Sequence, residues 1–242
     1  MNEPPLAPRP PAVAAFLAGL DPAERAQLLG LDSPAAIQAF LDDLPYSADP
    51  FYRCPRRVLR DRRAHCFDGA LLAAAALRCL GLPPLVVDLY AERDDDHMLA
   101  VWQRDGCWGA LAKSNFAGLR YREAVYQSLR ELVMSYFEDF YNVLGEKTLR
   151  GFTVPLDLAR LDGLDWMAAD AGLEAVAERF DALDRTPVLT PGMLAGLSRM
   201  DSRSLAAGML GTDAAGLYRP TGPPAVPEKG DATDGSSLAT DR

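Results

Sequence analysis

The stretch FDGALLAAAALRCL (67–80) is apolar on nearly every side, and Gly81, Pro83 and Pro84 stop it. A helix without a polar face belongs inside a domain, with other elements wrapped round it. Three apolar segments come directly after: LVVDLY (85–90), HMLAVWQ (97–103) and CWGALAK (107–113). Each reads as a strand. Arg104-Asp105-Gly106 joins the last two, and Asp-Gly is a strong hairpin signal. A buried helix against antiparallel strands makes the expected class α+β, with further helices flanking that core.

Those helices are legible from their starts. Residues 1–11 are proline-rich and read as a flexible N-terminus, followed by PAVAAFLAGL. Asp21-Pro22-Ala23-Glu24 then offers a cap, a proline at the first helical position and a first-turn acid. Asp32-Ser33-Pro34 repeats that signal before AAIQAFLDDL, and Tyr46 to Ala64 reads as an irregular turn with a short arginine-rich helix. Beyond the strands, 123–144 reads as one amphipathic helix with Val125, Leu129, Leu132, Tyr136, Phe140 and Val143 on a face. The expected division is a domain over 12–150, a helical extension over 151–218, and a Pro/Gly/Ser/Asp tail over 219–242 that cannot bury enough to order itself.

Composition narrows the function classes. A net charge of −9 argues against nucleic acid as a partner. No apolar run approaches the roughly 20 residues that cross a bilayer, and no basic stretch followed by an apolar one opens the chain, so neither a membrane partner nor a secretory leader is expected. Four cysteines in 242 residues do not make a disulfide scaffold and fit reduced thiols in a cytoplasm.

The chain has two histidines, His65 and His97, and that scarcity sharpens the search for chemistry. Cys66 sits one residue ahead of the apolar helix, where the positive end of the helix dipole lowers a thiol pKa. His97 begins a strand, with Asp94-Asp95-Asp96 just before it. A cysteine at a helix start and a histidine on an adjacent sheet is the layout that a thiol nucleophile and its base require. Taken singly, a free cysteine is more often an inert core residue, and a histidine at a strand start a satisfied polar one.

The surroundings favour the chemical reading. Leu44-Pro45-Tyr46, the loop with Pro55-Arg56-Arg57-Val58-Leu59, and His65-Cys66-Phe67-Asp68 come in that order. The Ala/Leu helix then ends in Leu80-Gly81-Leu82-Pro83-Pro84. A Val-Val strand, a strand opened by His97, a turn and a strand carrying Trp108 follow. Over roughly residues 44–116 this order resembles the transglutaminase-like superfamily of papain-like cysteine enzymes. The resemblance implies a Cys–His–Asp/Asn triad in which Cys66 is the nucleophile and His97 the general base.

Two positions depart from that pattern. The family's aspartate a few residues after the third-strand tryptophan would fall near Ala112, which has no polar atom to offer. Hairpin register decides what stands across from His97 instead. A two-residue Asp105-Gly106 loop brings Ser114, a loop that includes Cys107 brings Asn115, and one that starts at Arg104 brings Lys113. Asparagine and serine can accept an imidazole N–H, and lysine cannot. Asn115 is taken as the third catalytic residue because papain-like enzymes also use asparagine there, with Ser114 in reserve. His65 stands where the family has glycine. It is read as a supporting or oxyanion-region residue or else as purely structural, and Asp96 and Trp108 are further supporting candidates.

Other readings are weaker. Cys54, His65, Cys66 and His97 could in principle hold a metal, but no paired C-x2-C or H-x3-H spacing supports it. Cys79 and Cys107 read as packing residues. Arg53, Arg56, Arg57, Arg60, Arg62 and Arg63 could bind an acidic group, though pairing with Asp42, Asp43 and Asp49 on a solvated face is the commoner arrangement. Tyr136, Phe137, Phe140 and Tyr141 read as core. Gly208 and Gly211 do not follow a strand, so no phosphate loop and no cofactor is expected. The function expected is a cysteine peptidase, amidase or acyl transferase acting on a peptide or protein amide. The alternative is a catalytically inactive member of the fold that binds another protein.

Overall fold

A computed structural model describes residues 9–222. Most of the expected tail over 219–242 and most of the expected flexible N-terminus lie outside those residues. Four short helices lead: α1 (Pro11–Gly19), α2 (Pro22–Leu29), α3 (Pro34–Asp43) and α4 (Pro55–Asp61). Their starts follow local chemistry. Asp21 Oδ1 accepts from the Glu24 N–H at 2.8 Å while Glu24 Oε2 accepts from the Asp21 N–H at 3.1 Å, a reciprocal cap on α2. Ser33 Oγ accepts from the Ala36 N–H at 3.2 Å and opens α3.

The apolar stretch forms α5 (Cys66–Cys79), buried from Phe67 to Arg78. Burying leucines such as Leu71, Leu72 and Leu77 is worth about 1.5–3 kcal/mol each, so this helix anchors the core. It packs on an antiparallel sheet that begins with β1 (Leu85–Ala91), β2 (His97–Arg104), β3 (Cys107–Leu111) and β4 (Arg122–Tyr126). β5 (Leu149–Thr153), β6 (Leu156–Asp157) and β7 (Arg185–Pro187) complete it. The strand order is β4-β3-β2-β1-β5-β7, with β6 on β1. The class is α+β, a sheet flanked by helices, as expected. Arg104 pairs with Cys107 across the two-residue loop Asp105-Gly106, both at positive φ (52° and 78°), the twist a tight hairpin needs.

The sheet separates two apolar layers. Val86, Met98 and Ala100 face α5 and the N-terminal helices. Val87, Leu89, Leu99 and Val101 face Leu119, Leu132, Tyr136 and Phe140. No helix of the described residues is long and apolar enough to cross a membrane.

Two expectations about the second half are corrected. Residues 123–144 are not one helix: β4 ends at Tyr126, Ser128 caps α6 (Leu129–Met134), and a 3-10 turn covers Phe137–Asp139. Ser128 Oγ accepts from the Glu131 N–H at 3.1 Å, so a new helix starts inside the apolar pattern, while Val125 points to solvent. Nor is 151–218 purely helical, because β5 crosses that boundary and pairs with β1 and β7. Gly151 lets it do so: a Cβ there would collide with the Tyr90 ring. A glycine-containing segment followed by Pro155 carries little strand signal in sequence, so only tertiary pairing identifies it. The remaining helices are α7 (Leu173–Asp181), α8 (Pro191–Ala195) and α9 (Ser202–Gly208).

Candidate active site

Cys66 is the first residue of α5, and His65 caps it. His65 Nδ1 accepts from the N–H groups of Phe67 (3.1 Å) and Asp68 (3.4 Å), and Asp68 Oδ2 accepts from the His65 N–H at 3.4 Å. An imidazole thus does what serine or aspartate does at most helix starts. Burial, reinforced by the nearby Arg53 cation, drives the His65 imidazole down to about 4, which keeps Nδ1 an acceptor. Among the expected roles for His65, the cap is what its bonds serve.

Behind this cap lies a buried ionic cluster. Arg53 donates from Nη1 to Ser47 Oγ (2.9 Å) and from Nε to Asp61 Oδ2 (3.1 Å), and it also pairs with Asp49. Its backbone N–H donates to Asp68 Oδ1 at 2.7 Å. Burial pushes Asp68 up to about 7 despite these donors. Arg57 pairs with Asp61 (3.0 Å) and Asp170 (2.6 Å), and Arg63 with Asp49 (3.7 Å). The arginine cluster is therefore largely scaffolding, one member of it buried. Asp49 takes part as expected, whereas Asp42 pairs with Arg120 at 3.3 Å.

The Cys66 thiol faces the opening strand residues of β2. Its Sγ lies 3.8 Å from the Asp96 carbonyl oxygen, and the Met98 N–H donates to it. Burial nevertheless pushes the thiol up to about 12, with Asp95, Asp88 and Asp68 adding in the same direction. Burial thus opposes the helix start, which would lower the thiol, although Cys66 is half-buried and borders open space. Tyr46 closes over the same atoms, hydrogen-bonded to both the backbone and the side chain of Cys66, and burial raises its phenol far above the usual range. The sequence pattern includes Tyr46 in Leu44-Pro45-Tyr46 but assigns it no role at the sulfur, which it reaches through a bridge to Ala64.

His97 is 5% exposed and packs edge-on to Phe140, with ring centroids 6.2 Å apart. Its Nε2 lies 2.8 Å from the Leu119 carbonyl oxygen. A carbonyl only accepts, so Nε2 carries the proton and Nδ1 keeps a free lone pair. Burial brings the imidazole down to about 4, so it is neutral near pH 7. Cys66 and His97 line one cavity of about 30 Å³ together with Tyr46, Ser114 and Asn115.

The choice of third residue rests on register, and the structure shows where each candidate's bonds go. The two-residue loop is the register that favours Ser114 over Asn115, but the pairing stops at Ala100 with Leu111, before either residue comes across from His97. Ser114 Oγ accepts from the Phe116 N–H at 3.0 Å. Asn115 holds the C-terminal segment instead, its Nδ2 donating to the Asp213 carbonyl (2.9 Å) and its Oδ1 accepting from the Asp213 N–H (2.8 Å). Lys113 donates to the carbonyls of Leu41 (3.0 Å) and Leu44, tying down the end of α3. The partner that fixes the His97 ring is a backbone carbonyl, which no side-chain search could find.

Asp96 borders the site through its carbonyl oxygen, while its carboxylate accepts from the Ala91 N–H at 2.7 Å. Trp108 packs with the second core layer and lines neither cavity beside Cys66. Cys54 is buried at the start of α4, its N–H donating to Asp170 at 2.9 Å. Cys79 and Cys107 are half-buried.

Residues 213–218 lie across the site. Gly216 and Tyr218 line the small cavity and also a second one of about 500 Å³, and Cys66 borders both. Gly216 is needed for that approach, since a Cβ there would stand 2.5 Å from Tyr46 Cδ1.

No family model matches the chain, and no curated protein matches it. Among solved structures, chains of Legionella pneumophila LapG are similar at 14% identity. One covers 49% of this chain and 92% of that chain with a TM-score of 0.31. Another, EGTA-treated, covers 72% of this chain and 100% of that chain with a TM-score of 0.36.

Proposed function

We propose that the protein is a cysteine-nucleophile enzyme acting on peptide or protein amides. The observation that carries this reading is the shared cavity of Cys66 and His97, with His97 oriented through Nε2 by the Leu119 carbonyl. The resemblance of residues 44–116 to transglutaminase-like enzymes supports it.

His97 Nδ1 takes the thiol proton as Sγ bonds to the amide carbon, and the carbonyl electron pair moves onto oxygen. The C–N bond then breaks, and the leaving nitrogen takes the proton from His97. An acyl-thioester on Cys66 remains. Water or an amine attacks that thioester, which makes the enzyme a peptidase or amidase in the first case and an acyl transferase in the second. General-base transfer from the thiol to His97 starts this sequence, the two groups meeting across the cavity they share.

The test is intact-mass analysis after incubation with an activated peptide ester. A stoichiometric acyl adduct is expected on the wild type and is expected to be absent from Cys66→Ala. An unmodified wild-type protein across a varied ester panel sinks the proposal. The second reading, an inactive fold that binds another protein, is favoured by one observation, the engagement of the Asn115 side chain with the Asp213 backbone.

A further inference from the structure

The larger cavity beside Cys66 holds about 500 Å³, within the roughly 300–1,000 Å³ range of small-molecule sites. Its lining includes the carboxylates Asp49, Asp88, Asp95, Asp96 and Asp181 and no lysine or arginine. Two of these are already served, Asp49 by Arg53 and Asp96 by the Ala91 N–H and, at 3.8 Å, by Arg185.

Asp88 is different. It lies in the middle of β1, paired with Met98 on the sheet face toward α5, and is 4% exposed. Its Oδ1 has no hydrogen-bond partner. A buried carboxylate oxygen without a donor is costly to maintain and is rarely left so in a finished fold. The cavity that Asp88 lines is where a donor can come from. The aromatic rings of Tyr52, Phe67 and Phe180 line the same space, and such faces hold both the alkyl stem and the charged head of a long basic side chain.

We propose that this cavity is a subsite for a lysine or arginine side chain of the substrate, with Asp88 as its buried anionic floor. The proposal rests on the catalytic reading for its purpose, because Cys66 borders both the subsite and the small cavity that contains His97. A cationic head at Asp88 places a neighbouring amide of the same peptide beside the sulfur. Burial pushes the Asp88 carboxyl up to about 7, and Asp96 and Asp181 push it the same way against the pull of Arg185. A guanidinium or ammonium group relieves that repulsion, which a neutral donor cannot. Among the described residues no three of these groups are arranged to hold a metal ion.

The test is calorimetric titration of full-length Cys66→Ala with Nα-acetyl-arginine amide, Nα-acetyl-lysine amide and the neutral near-isostere Nα-acetyl-citrulline amide. The cationic amides are expected to bind at least tenfold more tightly than the citrulline amide. Asp88→Asn in the same background is expected to abolish that preference. Asp181→Asn, an exposed rim position that should not affect folding, is expected to weaken cation binding severalfold. Equal binding of the citrulline amide, no binding of either cation, or a preference that survives Asp88→Asn overturns the subsite. Calcium chloride competing stoichiometrically with the arginine amide overturns the assignment to an organic cation. Because Cys66→Ala forms no thioester, these results stand apart from catalysis. Binding without an acyl adduct on the wild type keeps the subsite and rejects the enzyme, and an adduct indifferent to charge does the reverse.

Discussion

The Asn115 side chain and the Asp213 backbone exchange two hydrogen bonds, of 2.9 and 2.8 Å, and so pin the C-terminal segment beside Cys66. Each bond is worth about 0.5–1.5 kcal/mol net. Asn115→Ala should therefore free residues 213–218 and raise the rate of Cys66 alkylation at pH 8 roughly tenfold, 1.4 kcal/mol being a factor of ten. Ser114→Ala should leave that rate near wild type. A slower rate in Asn115→Ala would mean that the asparagine supports the imidazole after all.

The His97 imidazole, held near 4 in the fold by burial, returns to about 6.5 on unfolding. Between those values the unfolded chain binds a proton that the native state refuses. The stability that depends on a neutral His97 is thus full above about pH 6.5 and is lost as pH falls toward 4. Asp68 and Asp88, raised to about 7, act in the opposite direction, so the contribution is read as a difference. The melting temperature of the wild type relative to His97→Gln should fall by several degrees between pH 7 and pH 4. A difference independent of pH would show that His97 is not desolvated.

Arg53 is 3% exposed among Asp49, Asp61 and Asp68. Arg53→Met removes the cation and leaves those carboxylates facing one another, at a cost of about 3–5 kcal/mol for a broken buried pair. Denaturant unfolding should show that loss, together with faster proteolysis near residues 47–53. A loss below about 1 kcal/mol, the size of a surface pair, would place Arg53 at the surface in solution.

Gly69 lies one turn into α5, where a Cβ would collide with Cβ of Lys113. That close approach sets the start of α5, and Cys66 with it, against the chain leaving β3. Gly69→Ala should destabilise by about 1–3 kcal/mol through overpacking, despite alanine's better helix propensity. A more stable Gly69→Ala protein would show the gap to be wider than it stands.

Local chemistry determined much of this protein. An apolar helix stopped by glycine and proline, caps such as Asp21 and Ser33, and the Asp105-Gly106 turn act between neighbours in sequence, so α2, α3, α5 and the β2–β3 hairpin were legible. The same is true of Cys66 at the helix start and His97 at the strand start. Tertiary structure decided what those residues experience. The Leu119 carbonyl on His97, the Tyr46 hydroxyl on Cys66 and the Asp213 backbone on Asn115 are contacts between distant segments. The membership of β5 in the sheet is another. The raised thiol followed for the same reason: a helix dipole acts within one turn and can be read from sequence, whereas desolvation sums over every segment that folds across the sulfur.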